Sequence, residues 1–406
     1  MHIYLIGIGM GNPESLTIEA GKAIRDADVL IGAARMTELF KEEKKVYHDY
    51  KAEEIVKVLQ VQESTSKIAI LMSGDVGFYS GAKKLIKAIE KASFYKESEF
   101  TVLPGISSVV SFCAKLHMSW DDVKLISVHG REANLVGYVR RYPKVFALMY
   151  GREQLSDLVE RLQEYDMGYV KIHVGQKLSY PDESVFTIIP DEIGDIPNID
   201  PLYVVLIEND KACDDSLYGI SDDEFIRTKI PMTKSDVRTL SIAKLGLKPD
   251  SVLFDIGAGT GSISIEASRK LIDGRVYAIE RKTEAIELIN KNIRKFAADN
   301  VSPVEGKAPL VLKKLPVPTH AFIGGSGGNM EKIIDFLLAE NPDIRIVINA
   351  TALNTIGEVS EIIRKREWEA DITSVSIAKS REIGGYQMMT AQNPVYIIAL
   401  EPGKKH

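Results

Sequence analysis

Apolar and polar positions alternate in blocks along the first half of the chain. The runs "IYLIGIG", "DVLIG", "KIAILMSGD" and "FTVLPG" are short and mostly apolar. The segments between them, such as "SLTIEAGKAIRDA" and "GAKKLIKAIEKA", repeat apolar residues every three to four positions. This alternation predicts βαβ units and a largely parallel sheet. A second set follows: "KLISVHG", "KVFALMY", the helical "REQLSDLVERLQEY", then "YVKIHVG", "SVFTIIP" and "LYVVLIEN". The last three runs lie close together with no helical pattern between them, which predicts hairpins. Residues 1–210 thus form one domain of two lobes, hinged near His117 to Asp122. The stretch 209–228 lacks periodicity and is rich in aspartate, which predicts a solvated linker over 211–228. From 229 to 406 the alternation restarts. "KSDVRTLSIAKLGL", "KTEAIELINKNIRKF" and "EKIIDFLLAE" have helical periodicity, and "SVLFDIGAG", "RVYAIE", "HAFIGGSGG", "RIVINAT" and "VYIIAL" are strands. The halves share no clear repeat. They predict two different α/β domains joined end to end.

Composition narrows the picture. At 406 residues the chain is long enough for two or three cores. A formal net charge of −6 and a pI near 5.8 argue against a general nucleic-acid binder. The two cysteines, Cys113 and Cys213, lack metal-ligand spacing, and no metal motif is present, which points to a reduced, cytoplasmic setting. The N-terminal apolar stretch turns at Gly7, Gly9 and Gly11 without a basic leader, so no signal peptide is expected. No apolar run approaches the ~18 residues needed to span a membrane.

Two glycine-rich turns carry the chemistry. In the second half, Gly257-Ala258-Gly259-Thr260-Gly261 lies between a strand and a helix, where glycine lets the backbone approach a ligand. A dinucleotide fingerprint needs a further glycine where Ser262 stands. Asp255, just before the turn, would repel a pyrophosphate and suits a ligand carrying positive charge. Glu280 ends the next strand, where a ribose-binding acid belongs. Ribose hydroxyls plus a cation, without pyrophosphate, describe S-adenosylmethionine.

The ordered runs "IPMTKSDVR", "DIGAGTGSISIEA", "VYAIE", "VEGKAP", "GGSGG" and "NPVYII" cover nearly all of 229–400. This region resembles the CbiT-type methyltransferases of cobalamin synthesis. The resemblance implies a class I, Rossmann-like domain in which Thr233 closes over the cofactor and Gly257 to Gly261 form its turn. It also implies that Glu280 takes the ribose hydroxyls and that Ala308 lies beside the adenine. Lys307 stands where the family usually has Asp, which removes an acceptor for the adenine amino group.

The first turn, Gly7, Gly9 and Gly11, is followed by a strand ending in Gly32 with no ribose-binding acid, so alone it specifies no ligand. With "GIGMGNPESLT", "LMSGDVGFYSGA", "LPGISSVVSF" and "VGQKLSYPDE", however, residues 1–210 resemble the tetrapyrrole methylase family, its CbiE-type members most closely. That resemblance implies a two-lobed class III methyltransferase holding S-adenosylmethionine in the cleft between the lobes. The implied contacts are Asp75, Gly77, Ser107, Ser108 and backbone near Met149 and Tyr150, with Gly9 bordering cofactor and substrate. On residue chemistry alone, Ser107 and Ser108 are helix caps. Val76 stands where the family usually has proline.

Together the halves resemble the fused C5,15-methyltransferases (decarboxylating) of cobalamin biosynthesis. The resemblance implies one S-adenosylmethionine per domain and methylation of two meso carbons of precorrin-6Y, or of a cobalt-precorrin. It also implies loss of carbon dioxide from the ring C acetate and a homo-oligomer, a tetramer through the C-terminal domain. A methyltransferase of another tetrapyrrole or of RNA is the alternative; the acidic pI and the lack of an aromatic-basic platform argue against RNA. Candidate cations for the acidic macrocycle are His129 to Glu132, Arg140 to Lys144, Lys234, Arg238, Lys379 and Arg381, the last expected in a polar loop. No residue is assigned to catalysis. Candidate decarboxylation pockets are 324–330 and 384–394, with Met388 and Met389 expected in the core.

Overall fold

The computed structural model describes residues 1–41, 44–128, 133–214 and 218–401. The candidate cluster His129 to Glu132 lies outside the described residues. The chain divides into two compact units. The first comprises Met1–Glu132, Pro143–Val159 and Tyr169–Asp210; the second comprises Ala133–Tyr142, Glu160–Gly168 and Lys211–His406.

The first lobe of the first unit contains β1 (His2–Gly7), α1 (Ile18–Asp26), β2 (Val29–Ile31), α2 (Ala34–Thr37), β3 (Lys45–Tyr47), α3 (Ala52–Gln60), β4 (Lys67–Met72), α4 (Ala82–Glu90) and β5 (Glu99–Leu103). Its five strands are parallel in the order β3-β2-β4-β1-β5. Residues of β1 and β4 are fully buried on both faces, which is why these runs are continuously apolar. Each helix covers the sheet with one apolar stripe, as Leu85 and Ile89 do on α4.

After α5 (Ser108–Lys115), His117 turns the chain in the left-handed region. Then come β6 (Lys124–Ser127), α6 (Leu135–Arg141), β7 (Lys144–Tyr150), α7 (Arg152–Glu164), β8 (Lys171–Gln176), β9 (Ser184–Ile188) and β10 (Leu202–Glu208). The second sheet, β6-β7-β10-β8-β9, is antiparallel except for the β6–β7 pair. The hairpin predicted from the close spacing of runs is β8–β9.

The second unit contains α8 (Ser235–Leu245), β11 (Val252–Ile256), α9 (Ser262–Ser268), β12 (Arg275–Glu280), α10 (Thr283–Lys295), β13 (Val301–Glu305), β14 (His320–Ile323), α11 (Met330–Glu340), β15 (Arg345–Ala350), α12 (Leu353–Arg366), β16 (Ala370–Val375), β17 (Ala378–Ile383), β18 (Tyr386–Ala391) and β19 (Val395–Leu400). Its sheet runs β13-β12-β11-β14-β15-β19-β16, with β19 antiparallel to both of its neighbours. The strand order reverses direction between β11 and β14, where open α/β sheets bind ligands at the carboxyl ends of their strands.

Three sequence expectations change here. The stretch 211–228 is not solvated throughout: Ile220 and Phe225 are buried in the second unit's core. Gly219 N donates to Glu266 (2.9 Å) and Ile226 N to Asn292 (2.9 Å), so the aspartates conceal a packed strap. Arg381 stands on β17, in the two-stranded hairpin β17–β18, not in a loop. Met388 and Met389 are 53% and 67% exposed on that hairpin rather than in the core, because every residue of its two strands is exposed among the described residues.

Candidate functional site

The second unit brings four strand ends together. Gly257 and Gly259 follow β11, Glu280 ends β12, Gly306 to Ala308 follow β13, and Gly324 to Gly327 follow β14. With Ile230 and Pro231, which continue from the strap toward α8, they line a cavity of about 280 Å³. Gly257 has φ +78°, and a Cβ there would come within 2.8 Å of the Gly325 amide nitrogen. Any other residue would therefore part the two loops that form the cavity floor.

Glu280 faces this cavity. Its carboxylate accepts from Gly259 N (3.1 Å), Arg281 N (2.8 Å) and Lys282 N (3.3 Å). An acid held this way keeps further lone pairs for hydroxyl donors. Ala308 lines the cavity beside Lys307. Ala258, Thr260 and Gly261 belong to the same turn without lining the cavity. Thr260 is fully buried, and Gly261, at φ +76°, precedes α9 and packs on Ile289. Thr233 also lies outside the lining; its carbonyl accepts from Arg238 (2.8 Å), and its neighbours Ile230 and Pro231 reach the cavity instead.

Two sequence expectations are corrected. Asp255 does not face a cationic ligand. It is fully buried, and one carboxylate oxygen accepts from the Ser264 amide (3.1 Å) and hydroxyl at the start of α9. Burial pushes its carboxyl up to about 7, opposed by the Ser264 hydrogen bonds and reinforced by the charge of Glu280. Arg238 is not available to a substrate. It is fully buried, with Nε on Glu266 (2.7 Å), Nη1 near Asp222 (3.3 Å), Nη2 on the Ile220 carbonyl and the guanidinium over the Phe225 ring. It clamps the strap to α8 and α9.

Lys234 is half-exposed, 3.9 Å from Asp222. Lys379 pairs with Asp236 (2.6 Å). Arg381 is exposed. Arg140 and Arg141 donate to the carbonyls of Phe296 (2.9 Å) and Arg269 (2.8 Å), and Lys144 pairs with Asp122 (3.0 Å), so these three cations are engaged structurally.

In the first unit the glycine turns pack on one another. Gly9 and Gly74 exchange backbone hydrogen bonds (3.1 and 2.7 Å). Asp75 accepts from Gly77 N (2.8 Å) and Gly105 N (3.1 Å), tying the loop after β4 to the loop after β5. Ser107 caps α5 through Val110 N. Beside these loops lies a cavity of about 350 Å³ lined by Gly74, Ser108 and Leu148 among others. Gly9, Asp75, Gly77, Ser107 and Met149 do not line it. Met149 is buried in β7, whereas its neighbour Leu148 points into the cavity. Sequence reasoning missed the lining residues Met10, Arg35, Phe78, Tyr79, Tyr180 and Tyr203. Met10, Phe78, Tyr79 and Tyr180 lie within the glycine-bearing loops but not at their glycines, and Arg35 and Tyr203 lie outside those loops, so spacing does not single them out.

The two units therefore define a tetrapyrrole methylase half and a Rossmann-like methyltransferase half in one α/β chain. Residues 2–191 match the tetrapyrrole (corrin/porphyrin) methylases, and residues 224–401 match the precorrin methyltransferase domain. Over 403 residues, 96% of this chain and 93% of the relative, the sequence is 30% identical to the precorrin-6Y C(5,15)-methyltransferase [decarboxylating] of a Sinorhizobium species. The chain belongs to this family of fused, decarboxylating methyltransferases. Its second half is 39% identical, over 183 residues, to the probable cobalt-precorrin-6B C(15)-methyltransferase (decarboxylating) of Pyrobaculum calidifontis, covering 44% of this chain and 94% of that protein. The crystal structure of a precorrin-6Y C5,15-methyltransferase from Geobacter metallireducens is 41% identical and covers 46% of this chain and 98% of that one, with a TM-score of 0.44. Among the described residues no helix is long and apolar enough to cross a membrane.

Proposed function

We propose that this chain methylates precorrin-6Y, or its cobalt form, at C5 and C15 and removes carbon dioxide from the ring C acetate. The tetrapyrrole methylase half acts at C5, and the C-terminal half acts at C15 and in decarboxylation. Each half uses its own S-adenosylmethionine. The observation that carries this reading is the presence of two separate glycine-flanked cavities, one in each half, in a chain of this family.

S-adenosylmethionine, when bound, supplies an electrophilic methyl group. The chain's part is to bind and align. Glu280 offers acceptors for ribose hydroxyls, Gly257 and Gly259 allow close backbone approach, and Ala308 leaves room for the adenine. In the first half, Gly74, Ser108 and Leu148 line the cleft, while Gly9, Asp75, Gly77 and Ser107 hold its loops in place. An electron-rich meso carbon needs little acid–base help, so alignment supplies most of the acceleration. The working division is 1–210 for the first domain and the remainder, strap included, for the second. Exposed Ile383, Tyr386, Met388 and Met389 on the β17–β18 hairpin suit a homo-oligomer through the C-terminal domain. Among the described residues Cys113 and Cys213 form no disulfide, which suits a reducing cytoplasm.

The test is Glu280→Ala. Losing even one ribose hydrogen bond to a charged acceptor weakens cofactor binding roughly tenfold or more. Mass spectrometry of the product should show one added methyl and retained carbon dioxide. Two added methyls would remove Glu280 from the cofactor site. One methyl with carbon dioxide lost would place decarboxylation outside that site.

A further inference from the structure

The cavity of the first unit combines fixed aromatic walls with, among the described residues, one uncommitted charge. Tyr79 donates its hydroxyl to the Leu125 carbonyl (3.0 Å) and packs edge-on against Phe78. Tyr180 rests its hydroxyl over Gly11, where a Cβ would approach it to 2.9 Å. These rings present flat apolar surface that is already held in position.

Two cations line the same cavity. Lys177 sits between Asp182 (2.6 Å) and Asp200 (3.3 Å), so its charge is answered within the protein. Arg35 is different. It stands on the short helix α2, whose neighbouring residues Met36 and Thr37 are buried. Thr37 further ties the helix to His48 (3.0 Å) and to the Ala34 carbonyl (3.2 Å). Arg35 itself is exposed and, among the described residues, has no hydrogen bond or ion pair. Among the described residues no aspartate or glutamate lines the cavity. A guanidinium carried on an anchored helix, beside aromatic walls and without an acid partner among the described residues, matches a flat ring system that carries carboxylate arms.

We propose that Arg35 is a specificity-determining residue of the first methylation, pairing with a carboxylate arm of the tetrapyrrole. The inference rests on the functional reading above and adds the residue that recognises the acidic macrocycle there. A cofactor contact is the competing role, because S-adenosylmethionine also carries one carboxylate. The cofactor's sulfonium and ammonium charges, however, gain nothing from a cavity whose charged side chains, among the described residues, are Arg35 and Lys177.

The experiment uses the full chain with precorrin-6Y and an isotopically labelled methyl donor, reading the initial rate of label arriving at C5. Arg35→Ala should raise KM for the macrocycle about tenfold or more, the loss of one charge-assisted pair. It should leave kcat for C5 methylation within about twofold, and Arg35→Lys should fall between the two. Calorimetry with S-adenosylhomocysteine should give the same affinity and stoichiometry for Arg35→Ala as for wild type. An unchanged KM in Arg35→Ala would overturn the inference while leaving the functional reading intact. Lost S-adenosylhomocysteine binding would reassign Arg35 to the cofactor. Absence of any C5 label in the wild type would defeat the functional reading, and this inference with it.

Discussion

The two halves use glycine-rich turns after parallel strands in different proportions. In the C-terminal half, Gly257, Gly259, Gly324 and Gly325 all line the cavity. In the first half, Gly74 lines the cavity, but Gly7, Gly9 and Gly105 do not. A Cβ at Gly105 would stand 2.4 Å from the Gly74 carbonyl oxygen and 2.5 Å from the Gly7 carbonyl carbon. One signal in the sequence thus serves mainly ligand approach in one half and mainly loop-on-loop packing in the other, with Gly74 lining the first cavity and Gly257 also abutting Gly325. The difference follows from architecture. A Rossmann-like sheet gathers its ligand contacts at neighbouring strand ends, whereas a two-lobed cleft draws them from loops far apart in the chain.

The sharpest way to break this comparison is alanine at one glycine of each kind. Gly105→Ala meets the backbone of both Gly74 and Gly7 and should abolish the ordered first cleft. One of two S-adenosylhomocysteine sites should vanish in calorimetry, with a large loss of thermal stability. Gly325 has open space at its Cβ position, so Gly325→Ala should keep wild-type stability and alter only cofactor affinity in the second half. Equal unfolding of both variants would erase the distinction.

Next in size is Arg238→Ala. It leaves Glu266 buried without its guanidinium, and breaking a buried pair typically costs about 3–5 kcal/mol. Urea unfolding should show this loss. Since the clamp holds the strap that leads into Ile230 and Pro231, the second cofactor site should weaken while the first is unaffected. A neutral substitution would mean the strap is held by its apolar contacts alone.

How far each half is legible in the sequence follows the same line. The second half's parallel strands, its turn and Glu280 can be read because periodicity and spacing are local. Asp255 misleads, since an acid before a glycine turn has the same spacing whether it faces the ligand or the helix behind it. The strap misleads too: its aspartates outnumber Ile220 and Phe225, the residues that anchor it. In the first half the lobes and the hairpin can be read from periodicity. Arg35, Met10 and Tyr180 cannot, because only tertiary packing brings them to one wall.

Asp255 also gives a pH signature to the second half. Its carboxyl titrates near 3.8 in the unfolded chain and near 7 when folded, so the folded state holds the proton more tightly. That stability is fully present below about pH 4 and is lost as pH rises through about 7, by up to about 4 kcal/mol. Asp255→Asn should flatten this decline in denaturant titrations across pH 4 to 7. An unaltered slope would mean water reaches the carboxylate. The smallest effect expected is that of Lys307→Asp. It restores an acceptor beside Ala308 and should tighten S-adenosylhomocysteine binding in the second half severalfold, the contribution of about one hydrogen bond.

The central claim is that one chain carries two independent cofactor sites. Titration calorimetry of the intact wild-type chain with S-adenosylhomocysteine tests it most directly. The account predicts two sites per chain, falling to one in Glu280→Ala with the remaining site unchanged. A single site in the wild type, or loss of both sites in Glu280→Ala, would contradict it.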